Sequence, residues 1–134
     1  MMKISERLHK FHLHDSTINA FYFVPSEKRL ILPIRLCDWD GDSEPDEIFG
    51  KTGLLIFHGV ENFKTDPELT GLVWDQNFGL DVLDLDYQPE LDSGEEEGVW
   101  GLFEFKTIPE EKYQQHILEI TFTSTHFEWL ETQQ

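Results

Sequence analysis

The chain has 134 residues, enough for one domain with a buried core, and it is read as a single acidic β-rich domain over 1–134. Ten Lys and Arg against 27 Asp and Glu give a formal charge of -17. Such a field repels nucleic acid and anionic membranes, and it speeds encounter with basic partners. An aromatic content of 13% argues against disorder, despite a mean hydropathy of -0.42.

No apolar run approaches the roughly 20 residues of a membrane span. The opening MMKISERLHK lacks the apolar stretch of a secretory signal. Cys37 is the single cysteine, so no intrachain disulfide can form and a cytoplasmic location is expected.

Ile4, Leu8 and Phe11 stand at helical spacing and predict a short amphipathic helix within Lys3 to Phe11. His9, His12, His14 and Asp15 follow as a small cluster. In an extended segment His12 and His14 point to one side, and Asp15 could orient or complete a metal site. The competing reading has His14 and Asp15 bonding backbone groups where helix gives way to strand. No fourth ligand is evident, and neither a tightly bound transition metal nor any cofactor is expected.

Thr17 to Val24 and Arg29 to Leu36 are strand-like, joined by Pro25-Ser26-Glu27-Lys28 with turn chemistry. This hairpin is expected to be the longest ladder of the fold. Its predicted register pairs Val24 with Arg29, Phe23 with Leu30, Phe21 with Leu32, Asn19 with Ile34 and Ile18 with Arg35. Pro33 cannot donate to a ladder, which predicts an edge or a bulge there.

Asp38 to Glu47 (DWDGDSEPDE) is an acidic loop with Gly41 and Pro45 as breakers. Asp38, Asp40 and Asp42 have the alternate spacing of a calcium loop. Ser43 and Phe49 stand where the turn glycine and bidentate Glu belong, so only weak cation binding is expected.

Thr52 to His58 predicts a central strand, and Val60 to Lys64 a shorter one. Leu80 to Tyr87 predicts a half-buried strand with Leu83, Leu85 and Tyr87 inward and Val82, Asp84 and Asp86 outward. Val99 to Thr107 has Val99, Phe103 and Phe105 opposite Trp100, Leu102 and Glu104, and Gly101 marks a bulge or a close contact. Gln115 to Trp129 has Leu118, Ile120 and Phe122 inward, with Glu119, Thr121 and Thr123 outward.

The expected core comprises Phe21, Phe23, Leu30, Leu32, Ile34, Leu54, Ile56, Leu83, Leu85, Phe103, Leu118, Ile120 and Phe122. The expected fold is mainly β: an antiparallel β-sandwich, or a curved, partly open barrel, of six to eight strands with one short N-terminal helix.

Familiar catalytic signatures are missing: there is no Gly-rich phosphate loop, Cys-x-x-Cys, G-x-S-x-G or H-E-x-x-H. Cys37 is flanked by acids from Asp38 onward, which resist thiolate formation, so a buried inert thiol is expected.

Leu13-His14-Asp15-Ser16, followed by Ile18 and a hairpin, resembles the opening of several small bacterial β-rich families. Leu54 to Phe57, with Gly59-Val60 and the aromatic Phe63, is similar to their middle section. Among these families are immunity proteins of polymorphic toxin systems. The resemblance implies a cytoplasmic protein that blocks a toxin by binding, without catalysis.

The leading expectation is thus a non-catalytic acidic module for a basic protein partner. No basic residue lies between Lys64 and Lys106, while twelve acids do. The candidate contact residues are Trp39, Asp40, Asp42, Glu44, Asp46, Trp74, Glu95, Glu96, Glu97 and Trp100, with acids steering and Trp rings anchoring. The alternatives are a metal-dependent enzyme using His12, His14 and Asp15, and a structural or accessory domain self-associating through a sheet edge.

Overall fold

The computed structural model describes residues 1–11, 13–37, 50–69, 79–106 and 116–132. Helix α1 (Ile4–Arg7) runs into a 3-10 turn, Leu8–Lys10. The strands are β1 (Thr17–Ile18), β2 (Tyr22–Val24), β3 (Arg29–Arg35), β4 (Thr52–His58) and β5 (Glu61–Asp66). They continue as β6 (Leu80–Tyr87), β7 (Glu97–Phe105), β8 (His116–Ser124) and β9 (His126–Glu131). All pair antiparallel in one sheet, ordered β5-β8-β7-β6-β1-β3-β4-β9, with β2 beside β3. The path stays open and does not close into a barrel. A mainly β fold with one short N-terminal helix is therefore what the chain adopts.

The sheet folds around its core at two corners. β4 passes into β5 at Gly59, and β8 passes into β9 at Thr125. One register spans both corners, from Gly53 opposite Glu131, through His58 opposite His126, to Glu61 opposite Thr123. Gly59 has φ +63, and a side chain there would strike that of Thr125.

Among the described residues there are nine strands, above the expected six to eight, because the first hairpin arm is broken in two. Val24 does pair with Arg29 and Phe23 with Leu30, but Ile18 pairs with Ile34 instead of Arg35. Residues 19–21 thus lie opposite only 32–33, an extra residue that bulges the arm. Pro33 sits opposite this break, in a strand that is central and not at an edge. The break also corrects the expected longest ladder. β2 and β3 share three pairs, whereas β7 and β8 share nine.

The core lies between the folded halves. Leu30, Leu32, Leu55, Phe57 and Phe127 meet Val82, Phe103, Leu118, Ile120 and Phe122, all at most 1% exposed. Phe57 packs edge-on against Phe122 with centroids 5.0 Å apart. Ile4, Leu8 and Phe11 are buried, as their spacing predicts, and plug one end. The helix is only one turn, and its first N–H groups are satisfied from the sheet: the Glu97 carboxylate accepts from Ile4 N and Ser5 N, both at 3.1 Å.

Several expected faces change. A bulge between Val82 and Asp84 in β6 reverses the alternation, so Val82 turns inward and Leu83 is only half-buried. Leu54 is half-buried while Leu55 takes the inner position. Phe21 and Phe23, beside the hairpin break, pack against the core half-buried. Thr123 is buried instead of outward, covered by the Glu96 carboxylate and the Glu61 carbonyl that its hydroxyl bonds. Cys37 is half-buried, and the β3–β4 register places Arg29, at the other end of β3, opposite His58.

Candidate functional site

Strand alternation and register together assemble a surface on the outer side of β6, β7, β8 and β5. With Val99, Gly101, Phe103 and Phe105 buried, Trp100, Leu102 and Glu104 of β7 point outward. Their partners on β6 are Asp86, Asp84 and Asp81, and on β8 Thr121, Glu119 and Ile117. β5 adds Lys64 opposite Thr121 and Asp66 opposite Glu119. The centre of this face is Trp100, Leu102 and the exposed Ile117. Carboxylates surround it, with Lys64 at one margin and Lys106 just beyond the end of β7.

The carboxylates are set close together. Asp81 faces Glu104 and Asp66 faces Glu119, both direct cross-strand like-charge pairs, which weaken a sheet. Among the described residues no ion pair neutralises Asp81, Asp84, Asp86, Glu104 or Glu119. Burial pushes the Asp86 carboxyl up, and neighbouring Asp84 adds to it; the Tyr87 N–H and His9 pull it back.

Trp100 is held at the ring edge: its indole N–H donates to Glu119 Oε2 at 2.9 Å. The 3-10 turn Pro89–Leu91 folds over one end of the face, forming a groove of about 400 Å³ lined by Gln88, Glu90, Leu91, Trp100 and Thr121. A cavity of about 260 Å³ adjoins it beside Asn62 and Lys64. Gly98 permits this turn to lie down, because any side chain there would run into the Gln88 carbonyl and Leu91. Asp92 fixes it, accepting from Gly98 N at 2.9 Å and Tyr87 OH at 2.6 Å. Donating to that carboxylate, first, and burial, second, push the Tyr87 hydroxyl up to about 12.

Of the candidate contact residues, Trp100 lies at the centre of this face. Glu95 is exposed on the turn that follows. Glu96 binds the Thr123 hydroxyl at 2.9 Å, beside the Lys28–Glu61 ion pair. Glu97 lies on the opposite side of β7 from Trp100, three residues away along a strand, and is occupied with α1. Trp39, Asp40, Asp42, Glu44, Asp46 and Trp74 lie outside the described residues, as does the calcium-like spacing from Asp38.

The alternative metal cluster gains no support. His14 Nδ1 lies 2.7 Å from the carbonyl of Leu83 at the β6 bulge, and its ring contacts the exposed Asp15. Among the described residues no group of three or more His, Cys, Asp or Glu could hold a metal ion; His12 lies outside them. Nor, among them, is any helix long and apolar enough to cross a membrane.

Asp81, Asp84, Asp86, Leu102, Glu104, Ile117 and Glu119 were not singled out from the sequence as contact residues. Alternation along single strands points Asp84, Asp86, Leu102, Glu104 and Glu119 outward, whereas Asp81 reaches this face only through the β6 bulge. β6, β7 and β8 are consecutive strands and pair as such; what the separate strand patterns do not carry is the register between them, which the β6 bulge shifts.

Compared with protein-family models, with curated proteins and with solved structures, the chain matches none of them.

Proposed function

We propose that this protein is a non-catalytic binding module whose acidic outer face on β6, β7 and β8 engages a basic protein partner. The observation that carries the reading is the apolar centre of Trp100, Leu102 and Ile117 ringed by carboxylates, of which Asp81 stands opposite Glu104 and Asp66 opposite Glu119, with no ion pair to Asp81, Asp84, Asp86, Glu104 or Glu119 among the described residues. A merely solubilising surface gains nothing from placing like charges directly opposite. A partner that brings Lys and Arg between them turns that repulsion into attraction, speeds encounter and leaves the Trp ring to be desolvated.

The likeness of the Leu13-His14-Asp15-Ser16 opening to immunity-protein families supports a toxin as this partner and the cytoplasm as the place of action. Self-association through a sheet edge is the weaker alternative. The β5 edge carries a bulge between Glu61 and Lys64 and a row of charges, and Met2 bridges to Phe127 beside β9. The test is a pull-down from the native host with identification of the flanking genes. Recovery of a basic protein, released by raised salt and lost when Asp81, Asp84 and Glu104 are neutralised, supports the reading. Recovery that is unaffected by those changes contradicts it.

A further inference from the structure

The centre of the acidic face carries more chemistry than a diffuse charge. The Trp100 indole is half-buried, and its N–H donates to Glu119 Oε2 at 2.9 Å. That bond fixes the ring and holds a carboxylate at its edge. Asp86 is the cross-strand neighbour on the other side, and Leu91 walls the groove above. We infer that this subsite receives one arginine of the partner, its guanidinium lying on the Trp100 ring with Glu119 and Asp86 as carboxylate acceptors. The inference rests on the acidic-face reading and names the side chain that the face selects.

Three features favour arginine over lysine. An aromatic face attracts a cation within about 6 Å of its centroid, and a planar guanidinium can also stack on it. Glu119 keeps Oε1 for a second donor, and Asp86, whose Oδ1 takes the Tyr87 N–H at 2.7 Å, keeps Oδ2. Acceptors on two sides of one ring suit the five forked donors of a guanidinium better than the point charge of an ammonium. The groove wall is apolar at Leu91, where the methylene stem of arginine can pack while its head reaches the carboxylates.

The experiment titrates the full chain with hexa-arginine and hexa-lysine peptides at physiological salt, following the affinity and the Trp100 indole N–H resonance. The expected result is that hexa-arginine binds about 10-fold tighter and shifts the Trp100 signal, as stacking plus forked hydrogen bonding requires. Trp100→Leu and, independently, Glu119→Gln should erase that preference, weakening hexa-arginine by about 10-fold more than they weaken hexa-lysine; the conservative Glu119→Gln change keeps the test sound if the ring replacement disturbs folding. Equal affinities with an unmoved Trp100 signal overturn the arginine subsite. They leave the acidic-face reading standing if an Asp81→Asn, Glu104→Gln variant weakens both peptides. If neither peptide binds, or that variant weakens neither, the subsite and the acidic-face reading both fall.

Discussion

Asp81 of β6 and Glu104 of β7 stand directly opposite each other, two carboxylates on one exposed sheet face. Cross-strand pairs of like charge destabilise a sheet, and opposite charges at the same place contribute about 0.2–1 kcal/mol. Glu104→Lys should therefore raise the chemical-denaturation midpoint at low salt, with the gain shrinking as salt screens the pair. The same change should weaken binding of a basic partner. A lower midpoint at low salt would show that the pair is not repulsive in the folded protein.

Asp86 presents the same opposition between stability and binding. Burial, then Asp84, raise its carboxyl above the usual value. A group raised on folding lends stability that is fully present below its unfolded value and is lost as pH rises through the folded one. At neutral pH the charged Asp86 is thus a net liability to the fold. Asp86→Asn, which keeps an acceptor for the Tyr87 N–H, should raise stability at pH 7 and leave it nearly unchanged in acid. Urea titrations of both proteins across that range check this, and an equal effect at all pH values would contradict it.

Glu97 serves the fold from the inner side of the same strand. By accepting from the N–H groups of Ile4 and Ser5 it does the work that a capping side chain does within a helix. Glu97→Ala should cost about 0.5–2 kcal/mol, as loss of an N-cap does. Amide exchange at Ile4 and Ser5 should quicken well before the core opens. Unchanged exchange at those two amides would place the helix anchor elsewhere.

His58 and His126 stack across the β4–β9 ladder, with ring centroids 4.9 Å apart and planes 15° from parallel. His58 Nε2 meets Glu128 Oε1 at 3.0 Å, and Thr125 Oγ1 lies 2.9 Å from His126 Nδ1. Burial, then His58 and the N-terminal amine, hold His126 below its usual 6.5, against an upward pull from Glu128. For a histidine lowered on folding, stability is intact above 6.5 and falls as pH drops from there towards the folded value. The midpoint for wild type should decline between pH 7 and pH 5 more than that of His126→Gln. Parallel declines would show that other groups govern this range.

Much of the fold could be read along single strands. The spacing of Ile4, Leu8 and Phe11 marks the plug, and alternation sorts Val99 to Phe105 correctly. Alternation fails where the backbone adds a residue without a sequence signal. The β6 bulge turns Val82 inward although nothing in Leu80 to Tyr87 announces it, and His14 and Asp15, which bond Leu83 and Val82, lie far away in sequence. The Ile18–Ile34 register shifts for the same reason, and only Pro33 gave a hint of the break. The candidate face was half legible. Each strand shows its acids, but their placement around Trp100 depends on the register between consecutive strands, which the β6 bulge shifts without a sequence signal.

The most direct measurement is the association rate of the basic partner with wild type and with an Asp81→Asn, Asp84→Asn, Glu104→Gln variant, at low and at physiological salt. Screening shortens the reach of exposed charges to about 8 Å at physiological ionic strength. Wild-type association should slow markedly across that interval, the variant should be slower at low salt and nearly indifferent to its increase, and both should dissociate at similar rates. A wild-type association rate indifferent to salt, or equal rates for the two proteins, would contradict binding through the acidic face.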